Sequence, residues 1–118
     1  MIEPTLHDVI EILYPLSAEN LPAGAQGTLV HQHESNVFEV EFVNEAGETI
    51  ALCSLSRHQF IVIWQAATEQ PVSVAEQVAQ VVALLPGQAG SEVLDFAWFL
   101  SQRQRQEQSK SVTASSVE

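Results

Sequence analysis

The chain of 118 residues contains few basic residues, with four Lys and Arg against 15 Asp and Glu and a formal net charge of −11. Nucleic-acid binding depends on Lys and Arg side chains that neutralise phosphates, so this balance argues against broad contact with DNA or RNA. Residues 1–70 hold ten acids and a single base, Arg57. The charge therefore favours solubility and attraction to a basic partner.

Cysteine and long apolar runs are also scarce. Cys53 is the only cysteine, so the chain cannot form an internal disulfide, and a reducing cytosol suits it. The N-terminal "MIEPTLHD" lacks the basic and apolar regions of a signal peptide. No apolar run approaches the roughly 20 residues that a membrane helix requires. We therefore expect a soluble, cytoplasmic protein with no membrane partner.

Strand-like alternation dominates the first half of the chain. In "VFEVEFVN", residues 37–44, apolar residues alternate with Glu39 and Glu41, which predicts one buried and one solvated face. Gly47 then supplies the positive φ that a hairpin turn needs. Further strands are predicted at residues 27–34, 48–55 and 60–64. Residues 6–16 fit a helix and a strand equally well. Short strands separated by Gly and Pro predict a small antiparallel barrel.

The apolar period changes in the second half of the chain. After the polar stretch "QAATEQP", Ser73 and Glu76 form a capping box at a predicted helix start. Apolar residues spaced three or four apart then predict one stripe along this helix: Val74, Val78, Val81, Val82 and Leu85. The segment "PGQAG", residues 86–90, ends the helix, and a second helix contains Val93 to Leu100. This part of the chain is therefore predicted to be a pair of helices.

Residues 6–64 resemble a small uncharacterised bacterial domain family whose members form SH3-like barrels. The shared pattern is "LPxGxxGT", then "VEF", then a glycine and "TIAL". The matching residues are Leu21, Pro22, Gly24, Gly27, Thr28, Val40 to Phe42, Gly47, and Thr49 to Leu52. The resemblance implies an SH3-like barrel and favours a strand for the ambiguous first segment.

Residues 73–106 resemble a second family, short helical proteins of unknown function that are often described as antitoxin-like. The shared pattern is a helix, "LP", a short spacer and "EVLDFxxFL", which this chain has at Leu85–Pro86 and at residues 92–100. Members are commonly encoded beside toxin genes, so the resemblance implies a cognate protein partner. Many members have a separate N-terminal DNA-binding piece, where this chain has the predicted barrel and few bases.

Together these patterns predict an α+β protein, in which a small five-stranded antiparallel SH3-like β-barrel precedes a C-terminal α-helical hairpin. The expected divisions are the barrel in residues 1–66, a linker in 67–72, a hairpin for interaction or oligomerisation in 73–108, and a disordered tail in 109–118.

His31 and His33 are the candidates for metal binding, because alternate residues of a strand point the same way and two imidazoles make half of a Zn²⁺ or Ni²⁺ site. A solvated strand face also accounts for them, so we expect no metal site. Cys53 stands between apolar residues of a strand, where a free cysteine is usually part of the core. We therefore expect no catalytic residues, no cofactor and no enzyme activity.

The second helix has more apolar surface than the first helix can cover. Val93, Phe96, Ala97 and Leu100 form a face that can close the hairpin. Leu94, Trp98 and Phe99 remain, and an uncovered patch of this kind marks a partner site. The predicted protein-interaction residues are Leu94, Trp98, Phe99 and Leu100.

These observations favour a non-enzymatic interaction protein. The expected function is antitoxin-like, with a cognate and possibly basic partner such as a toxic ribonuclease, a second copy of the chain, or both. Two alternatives remain open: an accessory or scaffold module that oligomerises through its helices, and a metal-binding protein that uses His31 and His33.

Overall fold

The computed structural model describes residues 2–117, with side chains up to Gln108, as an antiparallel sheet followed by two α-helices. The strands are β1 (Val9–Ile12), β2 (Gln26–Glu34), β3 (Val37–Val43), β4 (Thr49–Ser56), β5 (Phe60–Gln65) and β6 (Gln70–Pro71). The helices are α1 (Val74–Leu84) and α2 (Gly87–Val117). The α+β class is confirmed, as are the five expected strands and the choice of a strand in residues 6–16.

The sheet is open, so the prediction of a closed barrel is wrong. Its strand order is β4-β3-β2-β1-β5-β6. The short strand β6 lies in the stretch 67–72 that was expected to be a linker, and it pairs with the end of β5 through Trp64 and Gln65. Because β6 occupies the edge of β5 that faces away from β1, that edge does not join β4 to close a barrel.

The core is built from alternate residues of the strands, as the period of two predicts. In β3, Phe38, Val40 and Phe42 are each buried, whereas the intervening Glu39 and Glu41 are only partly covered. The core cluster consists of Ile10, Ile12, Leu21, Leu29, Phe38, Val40, Phe42, Cys53, Leu55, Phe60, Val62 and Val72. Cys53 lies in the core, as the apolar residues on either side of it in the sequence predicted.

Polar side chains secure the turns that bring these strands together. In the β3–β4 turn, the Asn44 Oδ1 accepts hydrogen bonds from the backbone N–H groups of Ala46 (3.0 Å) and Glu48 (2.9 Å). Gly47 there has φ +83°, the positive value predicted for this turn. These side-chain bonds replace backbone partners that a tight turn leaves unpaired.

The contact of α1 with the sheet centres on a glutamine rather than on the valine stripe. Gln80 is 1% exposed, while Val74 and Val78 are 76% and 46% exposed. The Gln80 Nε2 donates to the carbonyl oxygen of Val62 at 2.8 Å, and the Gln80 Oε1 accepts from the Val62 N–H at 2.8 Å. An amide satisfies both backbone groups of this strand residue, which no valine can do.

The same amide oxygen also accepts a hydrogen bond from Arg57 Nη2 at 3.0 Å. Arg57 Nη1 donates to the carbonyl oxygen of Phe60 at 2.7 Å, and the guanidinium lies 5.2 Å from the centre of the Phe60 ring. Burial lowers the pKa of the Arg57 guanidinium. Arg57 and Gln80 therefore form one polar network that joins the start of β5 to α1.

The chain divides into two compact units after Leu84. The first contains the sheet and α1, which contacts β5, and the second begins at Leu85 and contains α2. This boundary differs from the expected division, which placed both helices together in residues 73–108. The side chains of the expected disordered tail, 109–118, lie outside the described residues.

Gly27 lies where β2 approaches its neighbour β3 too closely to leave room for a side chain. A Cβ placed on Gly27 would lie 2.6 Å from Val40 Cγ1 and 3.0 Å from the backbone oxygen of Glu41. Both groups belong to the buried middle of the sheet, so neither can move away without disturbing the core. Only glycine fits this position without a shift of the strands.

We predict that Gly27→Ala lowers the free energy of unfolding by about 1–3 kcal/mol, because the added methyl overpacks the core. Urea denaturation monitored by circular dichroism measures this loss. Gly87→Ala is the matched control, since a Cβ at Gly87 meets no atom within 4 Å. Equal stability of the two variants would contradict the close approach.

Candidate protein-interaction site

The second unit begins with a short break between the helices. Only Leu85 and Pro86 separate α1 from α2, whereas the break was expected to extend to residue 90. The Pro86 carbonyl oxygen accepts hydrogen bonds from the N–H groups of Ala89 (3.0 Å) and Gly90 (3.2 Å), so it is bonded within the first turn. Proline suits a helix start because its missing N–H needs no partner there.

Within the described residues, α2 is the only helix or strand of the second unit. It spans 31 residues, which corresponds to a length of about 46 Å at 1.5 Å per residue. Its first half contains the segment "EVLDFAWFL", and its second half is polar. In residues 2–117, no helix has the combined length and hydropathy that crossing a membrane requires.

Large apolar side chains of α2 are exposed on more than one side of the helix. Leu94, Phe96 and Trp98 are each 61% exposed, and Phe99 is 57% exposed. At 3.6 residues per turn, Leu94 and Trp98 share one side, and Phe96 and Phe99 share another. We call these four residues the α2 apolar surface, and it matches the description of a partner site.

This surface differs from the predicted set by one residue, because Phe96 takes the place of Leu100. Leu94, Trp98 and Phe99 are exposed as expected, and Leu100 is half-buried. Phe96 was expected to help close a hairpin, but it is as exposed as Trp98. Its ring stacks against that of Phe99 with centroids 6.2 Å apart, so it belongs to the exposed side of the helix.

Charged groups border the α2 apolar surface. The Arg103 guanidinium lies 5.9 Å from the centre of the Phe99 ring, within range of a cation–π contact. Asp95 and Arg103 also line a shallow groove between Trp98 and Phe99. A partner at this surface would therefore meet aromatic rings with one acid and one base beside them.

His31 and His33 lie close together, as the strand pattern predicted. Their ring centroids are 4.5 Å apart, and His33 Nε2 is 3.7 Å from the Glu39 Oε2. No group of three or more His, Cys, Asp or Glu among the described residues is arranged to hold a metal ion. The two imidazoles therefore form an exposed pair on β2 beside a carboxylate of β3.

Cys53 is 7% exposed, and the charged group that affects its thiol is the carboxylate of Glu19, whereas reactive thiols have cationic surroundings. Burial raises the pKa of the Cys53 thiol, and the carboxylate of Glu19 raises this pKa further. The thiolate is the reactive form, so both effects suppress nucleophilic chemistry at neutral pH.

Arg57 and Gln80 are two polar residues whose hydrogen bonds sequence reasoning missed. Another is the buried Asp8, whose carboxylate accepts hydrogen bonds from Thr5 and from the Ala66 N–H. Arg57 stood out as a lone base, but nothing in the sequence indicated its acceptors. Gln80 interrupts the apolar run "VAQVVALL", which is a weak signal of a buried amide. Both contribute to the structure of the first unit, and neither lies near the α2 apolar surface in the sequence.

We predict that Cys53 of the folded protein reacts with iodoacetamide at pH 8 at least about tenfold more slowly than in the urea-unfolded chain, because burial and a raised pKa both reduce accessible thiolate. Mass spectrometry over a time course measures both rates. As pH rises, the reactivity of the folded protein should increase at higher pH than that of the unfolded chain. Equal rates in the two states would contradict this environment.

Comparison with known proteins finds a similar family for the N-terminal part of the chain. No curated protein and no solved structure matches it. Residues 6–62, which include β1 to β4 and the start of β5, match the sequence profile of a domain of unknown function, DUF4926. The N-terminal part of the chain is therefore similar to that uncharacterised family.

Proposed function

We propose that this protein is a non-enzymatic, antitoxin-like interaction protein that binds a basic partner protein through the α2 apolar surface. The observation that supports this most strongly is the exposure of Leu94, Phe96, Trp98 and Phe99 on one helix. Full burial of each such side chain contributes about 1.5–3 kcal/mol. A partner that covers these residues therefore gains a large apolar contribution to binding.

The composition of α2 also supports a partner. Helices in proteins owe most of their stability to packing of an apolar face, and helix propensity alone is rarely sufficient in water. The end of α2, residues 109–117, is rich in Ser, Thr and Val, which are weaker helix formers than Ala, Leu or Gln. Contact with a partner along "EVLDFAWFL" supplies the packing that this helix needs.

Charge supports a basic partner. The net charge is −11, and residues 1–70 contribute ten acids. A field of one sign accelerates the encounter with an oppositely charged protein and rejects acidic competitors. The charge does not say which basic protein is bound. The resemblance of residues 73–106 to antitoxin-like helical proteins points to a toxin as that partner.

The described side chains favour binding over catalysis. Cys53 and Arg57 are the groups whose pKa values are displaced, and both are engaged in the first unit. Cys53 is buried in the core, and Arg57 donates to Phe60 and Gln80. Displaced pKa values often mark active sites, but here burial in the core and structural hydrogen bonds account for them.

We predict that Trp98→Glu abolishes neutralisation of a toxic neighbouring gene product, because it places a charge on the α2 apolar surface, where a partner would bury it. The test is co-expression of each variant with that product, scored by cell growth and by co-purification. Val74→Glu is the matched control, since Val74 is exposed on α1 and receives the same charge. We expect the control to bind and neutralise like the wild type.

The same experiment separates the antitoxin from the accessory-module function. Co-purification that depends on Trp98, with a neighbouring product that is not toxic, would favour an accessory or scaffold module. If Trp98→Glu binds as well as Val74→Glu, the α2 apolar surface is not the binding site and the proposal fails.

A further inference from the structure

The two edges of the sheet differ in how well they are protected against an added strand. At one edge, β6 has only two residues and ends in Pro71, which lacks an N–H for pairing. The adjacent Gln80 amide bonds to both the N–H and the C=O of Val62. At the other edge, β4 has eight residues, "TIALCSLS", without a charged residue or a proline. The β4 edge therefore lacks the charges and the proline by which folded proteins often block an added strand.

The pairing of β4 with β3 is regular over six residues. It is continuous from Ala51, opposite Phe42, to Ser56, opposite Val37. The irregularity of this pair lies before Ala51, at Ile50. Among residues 2–117, no strand other than β3 pairs with β4. A further strand therefore has a regular edge available along residues 51–56.

The outer face of β3 and β4 combines carboxylates with an apolar side chain. Glu39 stands opposite Ser54, and Glu41 stands opposite Leu52. Both acids are partly covered, whereas Leu52 is 56% exposed. The surface next to the free edge is thus acidic on β3, and β4 itself has no charge.

These two carboxylates lack a Lys or Arg partner. Among the side chains described, up to Gln108, no Lys or Arg forms an ion pair with either of them. The Glu41 Oε2 accepts a hydrogen bond from the Thr49 hydroxyl at 2.7 Å, and the Glu39 Oε2 lies 3.7 Å from the His33 Nε2. A strand added beside β4 would lie two strand spacings from β3, about 10 Å. Long Lys and Arg side chains on that strand can extend their charged ends towards both carboxylates.

We propose that the β4 edge, along residues 51–56, binds an extended Lys- or Arg-rich segment of the partner protein, which adds a strand to the sheet. This inference rests on the proposed function in that the partner is basic. The backbone of the segment pairs with β4, and because side chains of a strand alternate, every second residue faces outwards towards Glu39 and Glu41.

Charge favours this occupant over a second copy of the chain. The net charge of −11 makes two copies repel each other, whereas the same field attracts a basic segment. Glu39 and Glu41 act in the same sense, since each gains a cationic partner when a basic strand is added. The uncharged β4 between them loses no hydrated charge when it is covered.

Titration calorimetry of the full chain with a defined peptide tests this site. The probe is a blocked peptide of about nine residues in which Lys and Val alternate, at a salt concentration of about 0.15 M that screens long-range attraction. We predict saturable binding of one peptide per chain and slower amide hydrogen exchange in residues 51–56. The same peptide with proline at its central Val positions keeps its charge but cannot pair with a strand, so it should bind at least about tenfold more weakly.

Variants of the protein locate the bound peptide. Glu39→Gln with Glu41→Gln removes two charges and should weaken binding by about tenfold. Glu3→Gln with Glu92→Gln removes the same charge at exposed positions and should bind like the wild type. Circular dichroism verifies that each variant is folded. If the first is not, Ser54→Lys on the outer face of β4 takes its place, because it repels a basic strand.

Four results would overturn the proposal: no saturable binding, equal binding of the proline peptide, slowed exchange only outside β4, or a folded β3 or β4 variant that binds as tightly as the wild type. Neither peptide depends on the α2 apolar surface. Failure here therefore leaves the Trp98→Glu test of the proposed function unaffected, and failure of that test leaves this one unaffected.

Discussion

The paired hydrogen bonds between the Gln80 amide and Val62 are the interaction on which the rest of this structure depends. Val62 is a fully buried core residue of β5, and its N–H and C=O both bond to the Gln80 side chain rather than to a neighbouring strand. Unpaired, these groups would each cost free energy in the core. The amide supplies both hydrogen bonds and so connects α1 to the sheet. Its oxygen also accepts a hydrogen bond from Arg57, which in turn donates to the carbonyl oxygen of Phe60.

This arrangement determines which surfaces remain for partners. The Gln80 side chain of α1 and the short strand β6 both lie along the outer edge of β5. The strand β4 forms the other edge of the sheet and pairs only with β3 among the described residues. The apolar residues of α2 are exposed in the second unit. In the second unit, the candidate interface for a different protein is therefore the helix α2.

The local patterns of the sequence predict most of the fold and part of the site. The alternation in residues 37–44 placed β3 and its core residues, and the glycine of the β3–β4 turn has the expected conformation. The exposed Leu94, Trp98 and Phe99 followed from helical spacing. The open sheet and the role of Gln80 did not, because they depend on which backbone groups lack partners after the strands have assembled. No local pattern reports that long-range requirement.

Replacement of the Gln80 amide by an apolar side chain of similar size tests the account most directly. Gln80→Met leaves the Val62 N–H and C=O and one Arg57 donor without their partner, so we expect the free energy of unfolding in urea to fall by about 2–5 kcal/mol. Gln88→Met, at an exposed position of α2, should change it by less than about 0.5 kcal/mol. A Gln80→Met protein as stable as the Gln88→Met protein would contradict the central place given to this amide.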